Sequence, residues 1–363
     1  MPMAQHSTFT IHRSPPPHSD EERAAILANP GFGSHFTDHM VVIDYEEGKG
    51  WHNHRVVPYA PFSVEPASMV LHYGQAIFEG LKAYRHADGE IVTFRPTANA
   101  ARFQSSADRM AMPRLSEEDF IDSIKELVTI DQEWVPQPGG EECLYLRPFM
   151  FASEEFVGVH PAGVVDYYVI GSPSGPYFKG GLSGVAIWVE REYHRAGPGG
   201  TGSAKAGGNY AASLLPQIQA EAKGFSQVCF LDTYEGKYLE ELGGMNMFVV
   251  MADGTIRTPE LTGVILEGGT RSAILRMLRD QGVDVREEKI ALSEVVDGIR
   301  SGAVAEVFAC GTAAVVTPIT RLGGDDFDVE IEVGDKTREI HKRLTDIQWG
   351  RAEDPYGWTY RLV

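Results

Sequence analysis

Cysteine is almost missing from this 363-residue chain, which has only Cys143, Cys229 and Cys310. Thiols so few and so scattered build neither a disulfide framework nor a zinc site, and they suit a reducing cytoplasm. Basic residues are also scarce, 32 Lys and Arg against 51 Asp and Glu, for a net charge of −19. That balance argues against nucleic acid or an anionic membrane as a partner, while leaving room for a local cationic phosphate pocket. No apolar run approaches the roughly 20 residues needed to cross a bilayer. Residues 1–30 carry Pro15, Pro16 and Pro17 and no hydrophobic segment, so they read as neither signal nor transit peptide. They are expected to form a poorly ordered lead-in. The chain also lacks a G-x-S-x-G elbow, an H-E-x-x-H pair and a Walker loop. His52 and His54 have no third ligand suggested, so no metal is expected.

What is present is 43% hydrophobic, enough for two domains with substantial cores. The first, 31–171, opens on the apolar run 40–44, continues through a strand at 90–94 and helices at 97–111 and 117–130, and closes on strands at 143–146 and 164–171. Ser116 followed by Asp119 is a helix-start signal. The stretch 172–181 is dense in Pro, Gly and Ser and reads as the interdomain linker. The second domain, 182–363, places strands at 184–191, 226–232, 245–251 and 304–309, with a hairpin partner near 237. Its helices fall at 210–223, 270–281, 293–302 and 335–347. Mixed strands and helices give an α/β (α+β) fold.

The most informative stretch is Gly202-Ser203-Ala204-Lys205-Ala206-Gly207-Gly208-Asn209-Tyr210. Its small residues let backbone and ligand approach closely, and the lysine stands just before a helix start, where unpaired N–H groups favour anions. A neutral amine there would suit Schiff-base chemistry. A solvated lysine in a flexible glycine-rich loop is the plain alternative. Gly197 to Gly202 formally matches G-x-G-x-x-G, but the strand ends too early and the helix starts too late for a dinucleotide turn. Gly268-Gly269-Thr270-Arg271, before an amphipathic helix, is a better anion site, with Thr270 as expected cap. Gly311-Thr312-Ala313-Ala314 offers a second donor turn. Glu240-Glu241 precedes the apolar strand 245–251, and a carboxylate there could face the ring nitrogen of pyridoxal phosphate. Lysine, carboxylate and two phosphate turns together suggest that cofactor.

At these residues the chain resembles the branched-chain amino acid aminotransferases, pyridoxal-phosphate enzymes of fold type IV, in their bacterial form. The resemblance runs from about residue 31 to the C-terminus. It rests on Gly31-Phe32-Gly33, Phe36-Thr37-Asp38-His39-Met40, Phe78-Glu79-Gly80-Leu81-Lys82-Ala83-Tyr84 and Tyr145-Leu146-Arg147-Pro148, and continues through Lys205 to Tyr210, Gly244-Met245-Asn246 and Gly311-Thr312-Ala313. It implies Lys205 as Schiff-base lysine and proton shuttle, Tyr210 on the phenolic oxygen and Glu241 on the ring nitrogen. Arg102, eight residues after Phe94, would hold the phosphate with Gly269, Thr270 and Thr312. Phe32, Tyr73, Phe78, Tyr145 and Tyr177 would line an apolar pocket. Arg147 would take the second carboxylate of glutamate, and Thr312 with Ala313 the substrate α-carboxylate. Val159 would reach in from a second copy, implying a homodimer.

The implied activity is reversible, ping-pong transfer of the amino group between leucine, isoleucine or valine and 2-oxoglutarate. Competing readings are a D-amino acid transaminase or aminodeoxychorismate lyase of the same fold, a nicotinamide-dependent oxidoreductase, and a non-catalytic relative. Two departures from the family pattern stand out. Glu267-Gly268-Gly269-Thr270-Arg271 replaces the usual Pro-Gly-Val/Ile-Thr-Arg, adding a charge and loosening the turn; backbone donors remain, so cofactor binding is expected to survive with reduced affinity. Ala314 and Thr317 stand where mammalian relatives carry a redox Cys-x-x-Cys, so thiol regulation is not expected.

Overall fold

The computed structural model describes residues 8–13, 18–175, 182 and 184–363. The chain divides into two compact units: Met1–Tyr177 with Ala204–Gly207 and Asp346–Val363, and Phe178–Ser203 with Gly208–Thr345. Its helices are α1 (Asp20–Ala28), α2 (Met69–Tyr73), α3 (Pro96–Arg109), α4 (Glu117–Ile130), α5 (Gly207–Ala222), α6 (Gly269–Asp280), α7 (Leu292–Ser301) and α8 (Asp335–Gln348).

The first unit is built on a nine-stranded, mostly antiparallel sheet. Its long central strand, Cys143–Ala152, pairs on one side with Val164–Ser174 along its whole length. On the other side it has two short partners in succession, Leu81–Arg85 and Ala76–Phe78. Glu79 and Gly80 form the jog between those two, and the Glu79 N–H donates to the Pro148 carbonyl at 2.7 Å. Helices α3 and α4 cover one face, contributing Ala100, Phe103, Phe120, Ile124 and Leu127 to a core with Leu144, Leu146 and Tyr167. The expected start of α4 is confirmed: the Ser116 hydroxyl accepts from the Asp119 N–H at 2.9 Å, with Glu117, Glu118 and Asp119 in the first turn.

The second unit holds a mixed nine-stranded sheet. Val185–Glu190 runs parallel to both Gln227–Leu231 and Val315–Gly323. Val304–Gly311 lies antiparallel between Val315–Gly323 and Asn246–Met251. Ile187, Val249, Val307 and Leu322 are fully buried at its centre, with Val295 and Val296 of α7 packed against them. No helix among the described residues is long and apolar enough to cross a membrane.

Several sequence expectations need correction. The lead-in is not uniformly unstructured: Asp20–Ala28 is a helix, opened by a capping box in which Ser19 and Glu22 satisfy each other's backbone N–H groups. The linker begins later than 172, because Val164–Ser174 keeps its pairing through Ser174; 176–181 lie outside the described residues. The second unit is not one continuous segment, since 204–207 and 346–363 belong with the first. In the latter, Thr359–Arg361 adds a strand beside Ile91–Phe94, and Leu362 enters the first unit's core.

Candidate active site

In the first unit, Lys205 lies on a segment clamped from three directions. Ala204 and Ala206, each 1% exposed, plug into the hydrophobic core on either side of it. The Phe78 N–H donates to the Lys205 carbonyl at 3.1 Å, and Ala206 bridges to Ile77. The Lys205 N–H donates to Ser106 Oγ on α3 at 2.9 Å. This is no floppy loop: Ala204 and Ala206 are buried, while the lysine between them stays partly exposed. Its Nζ stands 4.8 Å from the centre of the Phe78 ring.

The same ring carries a second cation. Arg147 Cζ lies 4.8 Å from the Phe78 centroid and 5.4 Å from that of Tyr145. Its Nη2 donates to the Tyr145 hydroxyl at 3.3 Å, while its Nε is buried without a hydrogen-bond partner among the described residues. Leaving such a donor unpaired is costly unless a ligand satisfies it. Phe32 closes edge-on against Tyr145 at 5.2 Å. The structure thus groups Lys205, Phe78, Arg147, Tyr145 and Phe32. Tyr73, by contrast, is tied through its hydroxyl to the Val157 carbonyl, and Val159 is 83% exposed. Tyr177 falls outside the described residues.

Arg102, on α3, is bound by Glu79: Nε donates to Oε1 and Nη2 to Oε2, each at 2.7 Å. Burial alone would push the Glu79 carboxyl up, but Arg102, Lys205 and Asn99 together hold it below the ordinary carboxylate range.

In the second unit, Glu241 lies on the short strand Leu239–Leu242, pairing antiparallel with Gln227–Leu231, rather than on a loop before Met245. Its carboxylate is buried and accepts from Arg195 Nη1 at 2.7 Å, with side-chain exposures of 4% and 2%. The Leu266 N–H donates to the same oxygen, Oε1, at 2.8 Å. Arg195 also donates to the carbonyls of Val264 and Gly202. A Cβ on Gly202 would come within 2.2 Å of the Val264 oxygen, so this glycine is needed for close packing, not for a dinucleotide turn. The ring of Tyr210, on α5, approaches Gly244 closely.

Neighbouring Glu240 points to the opposite side of its strand. Burial, then Asp232 and Glu241, push its carboxyl up to about 7, against a pull downward from Arg195. A raised folded value means that Glu240 stabilises the fold below an ordinary glutamate value of 4.5 and loses that contribution as pH rises through about 7. Glu240→Gln should therefore flatten the fall of the thermal midpoint across roughly pH 5 to 8. A fall as steep as the parent's would refute this.

Helix α6 begins at Gly269 with Gly268 as N-cap and no side-chain cap, so Thr270 is a buried first-turn residue rather than the cap. A helix start that no side chain caps is the kind of turn whose backbone N–H groups an anion can take up. Glu267 is exposed. Arg271 turns inward to Glu287 and the Pro259 carbonyl, each at 2.9 Å, and anchors the helix. Thr312, Ala313 and Ala314 form the tight turn between Gly311 and Val315, which are paired. Val315 takes φ +59°, an uncommon conformation for a β-branched residue, held here by its place in the hairpin.

The class IV amino-transferase family model matches residues 76–322. The chain belongs to the class IV aminotransferases. This aminotransferase is 52% identical over 360 residues to the branched-chain-amino-acid aminotransferase of Mycolicibacterium smegmatis, covering 98% of each chain. It is 53% identical over 362 residues to a probable branched-chain-amino-acid aminotransferase of Streptomyces coelicolor, covering 98% of this chain and 100% of that one. Among solved structures it resembles the branched-chain amino acid aminotransferase of Escherichia coli, at 28% identity and a TM-score of 0.74 over 88% of this chain and 99% of that one.

Class IV aminotransferases depend on pyridoxal phosphate, and the donor set fits that cofactor. The first unit offers an amine on a clamped segment and an arginine held by a carboxylate; the second offers a helix start without a side-chain cap and a buried carboxylate fixed by an arginine. Sequence reasoning missed two residues that hold candidate site residues: Glu79, which binds Arg102 in the first unit, and Arg195, which binds Glu241 in the second. Glu79 was visible only as a charge inside an apolar motif, and Arg195 as one more arginine before a glycine-rich loop. Their partners lie far away in sequence.

Proposed function

We propose that the chain catalyses reversible transamination between L-leucine, L-isoleucine or L-valine and 2-oxoglutarate, using pyridoxal 5'-phosphate. The bound cofactor supplies an electron sink for charge developing at the substrate α-carbon. Lys205 would anchor the cofactor through Nζ and would carry the proton to and from the substrate α-carbon. Glu241, oriented by Arg195 and the Leu266 N–H, would pair with the ring nitrogen. Arg102, the Gly269 and Thr270 N–H groups and Thr312 would hold the phosphate, and Tyr210 would bind the phenolic oxygen.

Phe32, Phe78 and Tyr145 would face the aliphatic side chain, which brings no polar group to satisfy. Thr312 and Ala313 N–H groups receive the α-carboxylate. The observation that carries the reading is that Lys205 and Arg147 share the Phe78 ring, each 4.8 Å from its centre, with Arg147 Nε unpartnered among the described residues. A reactive amine and a cation with a spare donor that close suit a site alternating between an apolar amino acid and a diacid.

Two measurements test this. L-Leucine with 2-oxoglutarate should turn over and D-alanine should not; comparable use of D-alanine would sink the assignment. Arg147→Gln should raise KM for 2-oxoglutarate by roughly 10- to 100-fold, the value of one or two charged hydrogen bonds, while KM for leucine changes little. Equal effects on both substrates would remove Arg147 from its role.

The active form is a homodimer. Val159, 83% exposed, and the α5 residues Leu214, Leu215 and Ile218, each at least half exposed, present apolar surface that a second copy would cover. The three cysteines are free and buried, in keeping with a cytoplasmic location.

A further inference from the structure

Glu79 is 0% exposed, yet it is a carboxylate with an unusual number of donors aimed at it. Asn99 Nδ2 donates to Oε2 at 2.7 Å, and Arg102 binds both oxygens. The Gly80 N–H reaches Oε2 at 3.2 Å. Asn99, Arg102 and Ser106 are spaced by three and four on α3, so they share one helix face. The first two hold Glu79, and the third holds the Lys205 backbone at 2.9 Å. Phe78, the residue before Glu79, holds the Lys205 carbonyl from the other side. One helix face and one strand jog therefore fix a buried negative charge, the arginine and the lysine relative to one another.

A purely structural pair would be a poor use of this location, because a buried ion pair is on average no more stabilising than an apolar replacement. We infer that Glu79 is a positioning residue with two effects: it aims the Arg102 guanidinium, and its charge favours the protonated nitrogen at Lys205 in the loaded enzyme. This rests on the reading of Lys205 as the cofactor-anchoring lysine. The charged and titratable groups that bear on the arrangement are Arg102 on α3, Lys205 itself and Tyr167 on Val164–Ser174, whose phenol is raised chiefly by burial and partly by Glu79. Arg147 on Cys143–Ala152 adds a cation on the other contact of the Phe78 ring.

The test follows the cofactor's visible absorption band against pH in the purified holoenzyme, with cofactor Kd and thermal midpoint measured alongside. Removing the negative charge in Glu79→Gln disfavours the protonated nitrogen, so the spectral midpoint should move to lower pH by about half a unit or more. Cofactor Kd should rise about tenfold or more as Arg102 loses its anchor. Glu79→Asp keeps the charge and should keep the spectral midpoint while weakening cofactor binding. If Glu79→Gln lowers stability or affinity but leaves the midpoint unmoved, the residue is only structural and the inference fails.

Should Glu79→Gln not fold, Asn99→Ala carries the question with the opposite sign. Deleting one donor leaves the Glu79 charge less compensated, so the midpoint should rise by roughly 0.3 unit. No movement there overturns the inference equally. A parent protein that binds pyridoxal phosphate without any visible band removes the anchoring-lysine reading itself, and this inference with it. A normal parent band with an unmoved variant removes the inference alone.

Discussion

Lys205→Ala should lower turnover by roughly 10⁵-fold or more, the scale of losing a residue that is both nucleophile and proton carrier. The protein should still fold, because the segment is anchored by Ala204, Ala206 and backbone bonds to Phe78 and Ser106, none of which involves the lysine side chain. The measurement is steady-state transfer from leucine to 2-oxoglutarate, with borohydride reduction and mass analysis of the parent to locate the trapped cofactor on Lys205. Activity near the parent's, or a trapped adduct on another lysine, would end the mechanism.

The second large effect concerns Glu241. Changing it to glutamine removes the charge opposite the ring nitrogen, and kcat should fall by roughly 10²- to 10³-fold, the usual consequence of losing one preorganised electrostatic contact. It also leaves Arg195, 2% exposed, as a buried cation without its partner. Breaking a buried pair from one side costs about 3–5 kcal/mol, readable as a lower denaturant midpoint. Replacing both Arg195 and Glu241 by leucine should recover most of the stability and none of the rate. An undiminished kcat in Glu241→Gln would refute its catalytic assignment. A double variant as unstable as the single one would refute the buried-pair account.

The two effects separate what the pair does for folding from what it does for chemistry. The pair is part of the local fold: Arg195 also grips the carbonyls of Gly202 and Val264, and Glu241 the N–H of Leu266. In sequence, Gly202 lies three residues before Lys205 and Leu266 three residues before the start of α6 at Gly269.

Elements with strong local signals were readable from the chain alone. Helices α3 and α4 and the strands His39–Glu46 and Ile91–Phe94 fall where periodicity and capping place them. Strands that carry polar residues did not announce themselves. Gly50–Pro58 contains Trp51, His52, Asn53, His54 and Arg55, and is a strand because it pairs with His39–Glu46. Val315–Gly323 contains Pro318, tolerated because pairing with Val185–Glu190 starts only at Ile319. The cap of α6 was misplaced by two residues for a related reason: Gly268 begins the helix without any side chain to mark it.

Residue order and composition by themselves determined the acidic, mixed α/β character of the protein, the lysine among small residues, and the ordered motifs that identify its family. They did so because those features are local: a motif is contiguous, and helix periodicity needs only a few turns. Tertiary structure alone decided that the lysine segment is buried by Ala204 and Ala206, and that Arg102 is met by Glu79. It likewise decided that Glu241 is held by Arg195. Those are charge pairings between residues distant in sequence, and a buried charge finds its partner only when the chain has folded around both.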